Sequence, residues 1–123
     1  MIISYHGGEF IKIVFGDTTL AFNAPSKDSK LKSSRFGADI AFTSLNHVDM
    51  NGGEELSRGE KNPFVVMGPG EYEVGGVLSI NIPTRSTYGR REKINTLYSV
   101  QFEGMNIIYA GAQKNMGAAG VNL

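Results

Sequence analysis

The sequence predicts a mainly β domain of antiparallel sheets with very little helix. Three observations carry that expectation. The apolar residues come in short runs of period two and almost nowhere at helical spacing. Glycine accounts for 16 of the 123 residues, against 4 prolines, about twice the ordinary glycine share. Many of the glycines stand in pairs, or beside Asp, Glu or Pro, between the apolar runs, where tight turns belong.

Residues 2–5 (Ile-Ile-Ser-Tyr) and 9–15 (Glu-Phe-Ile-Lys-Ile-Val-Phe) read as the first two strands, split by Gly7-Gly8. In the second run Ile11, Ile13 and Phe15 share one face, with Phe10, Lys12 and Val14 on the other. Gly16-Asp17 makes a two-residue turn into 18–23, where Leu20 and Phe22 continue the alternation. Glycine in the first place suits a type II′ hairpin, because positive φ costs it no Cβ clash. Ser26 can cap a short surface helix reaching about Arg35 and stopped by Gly37. Residues 39–44 and 64–67 are strand candidates. Two further hairpins join 71–74 to 77–82 around Gly75-Gly76, and 94–102 to 105–109 around Glu103-Gly104. That makes nine strands in one domain, 1–111. Residues 112–123, rich in Gly, Ala and Asn, lose all periodicity and read as a flexible tail.

Composition narrows the function. Twelve Lys plus Arg balance twelve Asp plus Glu, so the formal net charge is zero, which argues against whole-surface attraction to nucleic acid or anionic lipid. With 41% hydrophobic and 20% charged residues, the chain is not of the disordered class. No apolar run approaches the ~18 residues of a membrane span. Glu9 and Lys12 interrupt the first apolar stretch, so no signal peptide is read and a cytoplasmic location is expected. The absence of cysteine excludes disulfides, a thiolate nucleophile and Cys-ligated zinc or iron–sulfur centres.

Few residues are left for chemistry. His47 lies in Leu45-Asn46-His47-Val48-Asp49-Met50, directly after a strand. A His and an Asp two apart at a strand exit can present nitrogen and oxygen donors to one metal. One such pair supplies two ligands, whereas structural zinc takes four protein ligands and catalytic zinc three. The alternative is that both side chains satisfy backbone groups of the loop. His6, beside Gly7-Gly8, reads as a turn residue. Gly68-Pro69-Gly70 leads into a strand and lacks the Lys-Ser/Thr of a phosphate loop, so it too reads as a turn. No Gly-x-Ser-x-Gly occurs. Glu71 and Glu73 share a solvated strand face, and Glu54, Glu55 and Glu60 form an acidic region. That region offsets two basic stretches, Lys27, Lys30, Lys32 and Arg35, and Arg85, Arg90, Arg91 and Lys93. The second stretch surrounds Tyr88-Gly89, a mixture able to hold phosphates and stack a base. The charge balance speaks against nucleic-acid binding.

The order Ile3-Ser4-Tyr5-x-Gly7, Phe15-Gly16-Asp17-Thr18-Thr19-Leu20, Asn23-x-Pro25, Gly37-Ala38-Asp39-Ile40, His47-Val48-Asp49 and Gly68-Pro69-Gly70-Glu71-Tyr72-Glu73-Val74-Gly75-Gly76-Val77 covers almost the whole chain. It resembles the N-terminal half of the αββα sandwich of the metallo-β-lactamase superfamily, in the branch of zinc-dependent hydrolases similar to ascorbate-phosphate lactonase. The resemblance implies a Thr-His-x-His-x-Asp-His metal loop. Laid on this chain the loop is Ser44-Leu45-Asn46-His47-Val48-Asp49-Met50, in which His47 and Asp49 match while Leu45 and Met50 replace histidines. A histidine expected after Ile82-Pro83 is absent, since Thr84-Arg85-Ser86 follows. The aspartate expected after Ala110-Gly111 is Ala112. The early Gly-His turn is Gly7-Gly8. Leu, Met and Ala cannot bind zinc and Ser binds it poorly.

The resemblance therefore carries the fold and speaks against the activity. The favoured expectation is a non-catalytic or remnant domain without a metal, with His47 and Asp49 as vestigial ligands and a role in assembly. The rival is a zinc- or other metal-dependent hydrolase whose ligands a partner chain completes. Because the strands bearing Ile11, Ile13, Phe15, Leu20 and Phe22 need a layer opposite them, a homodimer or higher symmetric oligomer is expected, unless the chain's own later strands fold over to serve.

Overall fold

A computed structural model describes residues 1–31, 36–88, 93–111 and 119–122, the last segment as backbone. Two five-stranded sheets form. The first holds β1 (Ile2–Tyr5), β2 (Ile11–Phe15), β3 (Thr18–Phe22), β4 (Ile40–Thr43) and β5 (Phe64–Met67), in that spatial order. The second runs β10 (Ala119–Asn122), β9 (Met105–Tyr109), β8 (Lys93–Phe102), β7 (Val77–Ser86) and β6 (Gly70–Val74). The nine strands expected from the alternation are all present, and no α-helix occurs among the described residues.

The turns follow their residues. Gly16 sits at φ 57 between β2 and β3, the left-handed conformation that a Cβ opposes. Between β8 and β9 both Glu103 (φ 50) and Gly104 (φ 80) are left-handed, the signature of a type I′ hairpin whose twist matches its strands. Gly68-Pro69 carries the chain from the edge of one sheet to the edge of the other, and Asn81 Nδ2 donates to Gly68 O at 3.1 Å to hold that turn.

Three features depart from the expectation. The pairs β3–β4 and β4–β5 are parallel, although six of the eight strand pairings are antiparallel. Asp39 stitches this parallel part together: its Oδ2 accepts from the Thr19 N–H at 2.7 Å and from Lys61 Nζ at 2.6 Å. Residues 26–31, read as the start of a helix, form a turn at 27–28 followed by bends, and Ser26 Oγ accepts the Asp28 N–H at 3.3 Å; the Ser26 hydroxyl closes a local turn instead of capping a helix. The remainder of that stretch, 32–35, lies outside the described residues. Within 112–123, Ala119–Asn122 pair antiparallel with β9 (Ala119↔Tyr109 to Asn122↔Asn106); ladder hydrogen bonds place them despite their low β propensity. Residues 112–118 and 123 lie outside the described part.

The core lies between the sheets. Ile13, Leu20, Phe22, Ile40, Phe42 and Val66 from the first sheet meet Val77, Tyr98, Val100, Ile107 and Tyr109 from the second. Rings stack across the layer, Phe22 on Tyr109 at 4.8 Å and Phe42 edge-on to Tyr98 at 5.0 Å between centroids. The inner face of the first sheet is thus covered by the chain's own later strands. Ile13, Leu20 and Phe22 are buried, Ile11 packs against the core, and Phe15 meets Phe102 edge-on at 5.3 Å. Behind the first sheet Phe10 and Ala21 pack against Ala24, Ala38 and Leu56 from the connecting segments. Behind the second sheet Ile80 (38% exposed), Ile82 (48%) and Ile108 (41%) face outward, with Ile80 and Ile108 in one row through Ser99.

Candidate functional site

Strand β4 leaves the sheet at Thr43 into a loop that winds tightly around His47. The His47 carbonyl accepts the N–H groups of Met50 (2.8 Å) and Asn51 (2.9 Å), and the His47 N–H donates to Leu45 O at 2.9 Å. The loop is fastened to the segment after β3, because the Ser26 N–H donates to Val48 O at 2.8 Å and the Gly52 N–H to Ala24 O at 2.7 Å. A Cβ on Gly52 would lie 2.3 Å from Pro25 O, so only glycine permits this approach. The winding sends Leu45 and Met50 inward, each 1% exposed, and leaves His47 and Asp49 at the surface with about a fifth of each side chain accessible.

His47 Nδ1 accepts the Asp49 N–H at 3.0 Å, and it stands 3.6 Å from Asp49 Oδ2. The Asp49 carboxylate is held from two further segments. Ser29 Oγ donates to Oδ1 at 2.5 Å and the Tyr88 hydroxyl donates to Oδ2 at 2.6 Å, while the Tyr88 ring meets the His47 ring edge-on at 4.9 Å. Hydrogen bonds to the charged form, from Ser29 first and then Tyr88, hold the Asp49 carboxyl below the usual carboxylate range. The same bond seen from the other side, with burial and the negative charge added, pushes the Tyr88 phenol up to about 12.

Beneath this loop a buried polar layer joins the sheets. Asn23, left-handed at φ 54, donates from Nδ2 to Ser44 Oγ (2.8 Å) and to the Tyr109 hydroxyl (2.9 Å), and its Oδ1 accepts the Ser44 N–H at 2.8 Å. Tyr109 in turn donates to Glu9 O; burial, and secondarily the charge of Glu9, pushes its phenol pKa well up. Across the layer the Thr96 N–H donates to Ser44 O at 2.7 Å, and Asn95 Nδ2 donates to Ala110 O at 2.8 Å and Thr84 Oγ1 at 2.9 Å. Asn95 thus ties Thr84 to Ala110 next to the Thr96 bond to Ser44.

The other residues singled out from the sequence fall elsewhere. His6 lies against the rings of Phe10 (5.2 Å) and Phe36 (5.7 Å). Glu71, Glu73, Glu54 and Glu60 are exposed, as are Lys27, Lys30 and Arg85. Glu55 Oε2 accepts the Lys27 N–H at 3.1 Å, and Lys93 Nζ reaches Asn46 O at 3.1 Å. Lys32, Arg35, Gly89, Arg90, Arg91 and Ala112 lie outside the described residues. Tyr88, read as an aromatic among basic residues, is instead a partner of Asp49. Ser29 carried no signal beyond a place in a Lys- and Ser-rich stretch. A shallow cavity of about 280 Å³ beside the loop, with Lys27, Asp28, Val48, Glu54 and Glu55 on its wall, does not include His47, Asp49 or Tyr88. Among the described residues no group of three or more His, Cys, Asp or Glu could hold a metal ion. No helix among them is long and apolar enough to cross a membrane.

Comparison with known proteins gives the same fold. The family model described as "Beta-lactamase superfamily domain" matches residues 3–116. A solved structure from Thermotoga maritima, put forward as a Zn-dependent hydrolase of the metallo-beta-lactamase superfamily, superposes with a TM-score of 0.63 at 20% identity. The match covers 85% of this chain and 45% of that one. No curated protein matches the sequence.

Proposed function

The chain belongs to the beta-lactamase superfamily, and from that premise we propose that it is a non-catalytic member of the family, metal-free and working in an assembly of its own copies. The observation that carries this reading is the inward burial of Leu45 and Met50, each 1% exposed, at the two places where the resembled metal loop has histidines. Those positions are part of the packed interior: Leu45 has no donor atom, and the Met50 thioether is buried while His47 and Asp49 stay at the surface. What remains is the His47–Asp49 pair, two ligands where hydrolysis needs a metal held by three and open on one side to lower the pKa of bound water.

The assembly part of the reading draws on the outward apolar face of the second sheet, Ile80, Ile82 and Ile108. The chain spans 45% of the length of the solved structure it matches, so that structure's description bears on this chain only as the rival reading, a metal-dependent hydrolase with ligands completed by a partner. Protein purified without an affinity tag decides between them. Metal analysis is expected to give no stoichiometric zinc, iron or manganese, and lactones, phosphodiesters and β-lactams are expected to hydrolyse at background rates. Zinc-stimulated turnover that disappears in Asp49→Ala would establish the rival.

A further inference from the structure

Zinc-ligating histidine imposes a polarity on its ring. The ligating nitrogen offers a lone pair, and the other carries a hydrogen that it donates to a carboxylate, a carbonyl or water. At His47 that polarity is reversed. Nδ1 accepts the Asp49 N–H, so its lone pair is spent on the backbone and the hydrogen of the neutral ring sits on Nε2. Neither nitrogen is left with a lone pair for a metal while this bond stands.

The partners of Asp49 are oriented with equal definition. Ser29 Oγ accepts the Leu31 N–H at 3.0 Å and gives its own hydrogen to Asp49 Oδ1. The Tyr88 N–H donates to Ser86 Oγ at 3.1 Å, which fixes the start of the segment from which the Tyr88 hydroxyl reaches Oδ2. One carboxylate therefore binds two hydroxyls, one from 20 residues before it and one from 39 after it.

We infer that the loop at 44–51 is a metal-independent clasp: His47 fixes the backbone of Asp49, and the Asp49 carboxylate fastens the 26–31 turn and the end of β7 to the loop. The inference rests on the metal-free reading and adds to it a positive role for both surviving residues. In this role Asp49 is a positioning residue and its charge binds hydroxyl hydrogens, the same carboxylate chemistry a metal would otherwise use.

Nitrogen-15 NMR of the His47 ring in the full chain, near neutral pH, with and without excess zinc chloride, tests it. The expected result is a neutral ring protonated on Nε2, unchanged by zinc or by EDTA. Asp49→Ala is expected to shift the Ser29 and Tyr88 signals while those of Tyr98 and Tyr109 hold, which separates loss of the clasp from unfolding; Asp49→Asn, which keeps one acceptor oxygen, is expected to shift them less. A ring protonated on Nδ1 without zinc uptake overturns the clasp and leaves the metal-free reading standing. Zinc-induced shifts of His47 that Asp49→Ala abolishes overturn both.

Discussion

The Tyr88 hydroxyl donates to Asp49 Oδ2 at 2.6 Å across 39 positions of sequence. It ties the end of a strand in one sheet to a loop that leaves the other. The bond stabilises the charged carboxyl and the neutral phenol together, so it has two limits in pH. Asp49 has a folded pKa below its ordinary 3.8, so its contribution is present above that value and lost as pH falls through the folded one. Tyr88 is raised from 10.0 to about 12, so its contribution is complete below pH 10 and lost as pH climbs toward 12. The stability difference between the wild type and Tyr88→Phe should be flat between these limits and should close at both ends. Urea midpoints at acid, neutral and alkaline pH check this.

The Tyr88 phenol itself should titrate at about 12 and return toward the ordinary value of about 10 in Asp49→Ala. Absorbance of the phenolate, assigned by subtracting the Tyr88→Phe variant, reads the shift. An unchanged phenol in Asp49→Ala would remove the hydrogen bond from the account.

Asn23→Ala should destabilise the fold by about 2–3 kcal/mol, measured by denaturant unfolding, because it leaves the buried Ser44 N–H without its acceptor and the Tyr109 hydroxyl without its donor. Tyr109→Phe keeps the ring on Phe22 and removes only the hydroxyl. It should cost about 1 kcal/mol.

Most of the fold was legible because period-two alternation and turn chemistry are local. Phe64–Met67 forms the strand expected at 64–67, and Gly75-Gly76 and Glu103-Gly104 turn where expected. Strand direction is not local. The parallel pairing of β3, β4 and β5 had a trace in Ile40-Ala41-Phe42-Thr43, a run buried on both faces, which is how parallel strands read. Ala119–Asn122 lacks β-branched content apart from Val121, and only its ladder to β9 makes it a strand. At the site, His47 and Asp49 were visible as a pair two apart in a loop. Ser29 and Tyr88 were not, because nothing in a sequence brings positions 29 and 88 to 49. The alternative that His47 satisfies loop backbone is what its Nδ1 does.

Glycine positions separate backbone strain from crowding. Gly16 (φ 57) and Gly111 (φ 63) are both left-handed, but a Cβ at 16 meets nothing within 4 Å, whereas at 111 it falls 2.2 Å from Ser44 Oγ and 2.6 Å from Ser44 Cβ. Gly16→Ala should cost about 1–2 kcal/mol, the left-handed penalty alone. Gly111→Ala must also displace Ser44 from Asn23 and should cost at least about 2 kcal/mol more. Thermal or urea unfolding of the two variants side by side reads the difference.

Light scattering at micromolar concentration should report about twice the 13.3 kDa chain mass. The inner faces of the sheets cover each other, and Leu56 and its neighbours pack on the outer face of the first; apolar side chains stay exposed on the edge strands of the first sheet, Ile2 and Ile3 in β1 and Phe64 and Met67 in β5, and on the outer face of the second. There Ile80 and Ile108 flank Ser99 in one row and Ile82 stands beside Leu97 in the next. Outward isoleucines gathered in neighbouring rows are the kind of apolar surface that a partner covers. A two-fold copy presents the same patch to itself, and one symmetric contact can bury both. Glu71 ends the row at Ile80 on the β6 side, giving the contact a charged rim. Ile80→Lys puts a charged side chain into the apolar row and should return the scattering mass to that of one chain. It should do so without loss of folded signal, since Ile80 is already 38% exposed and outside the core. A wild-type chain that is folded and strictly monomeric at these concentrations sinks the assembly reading.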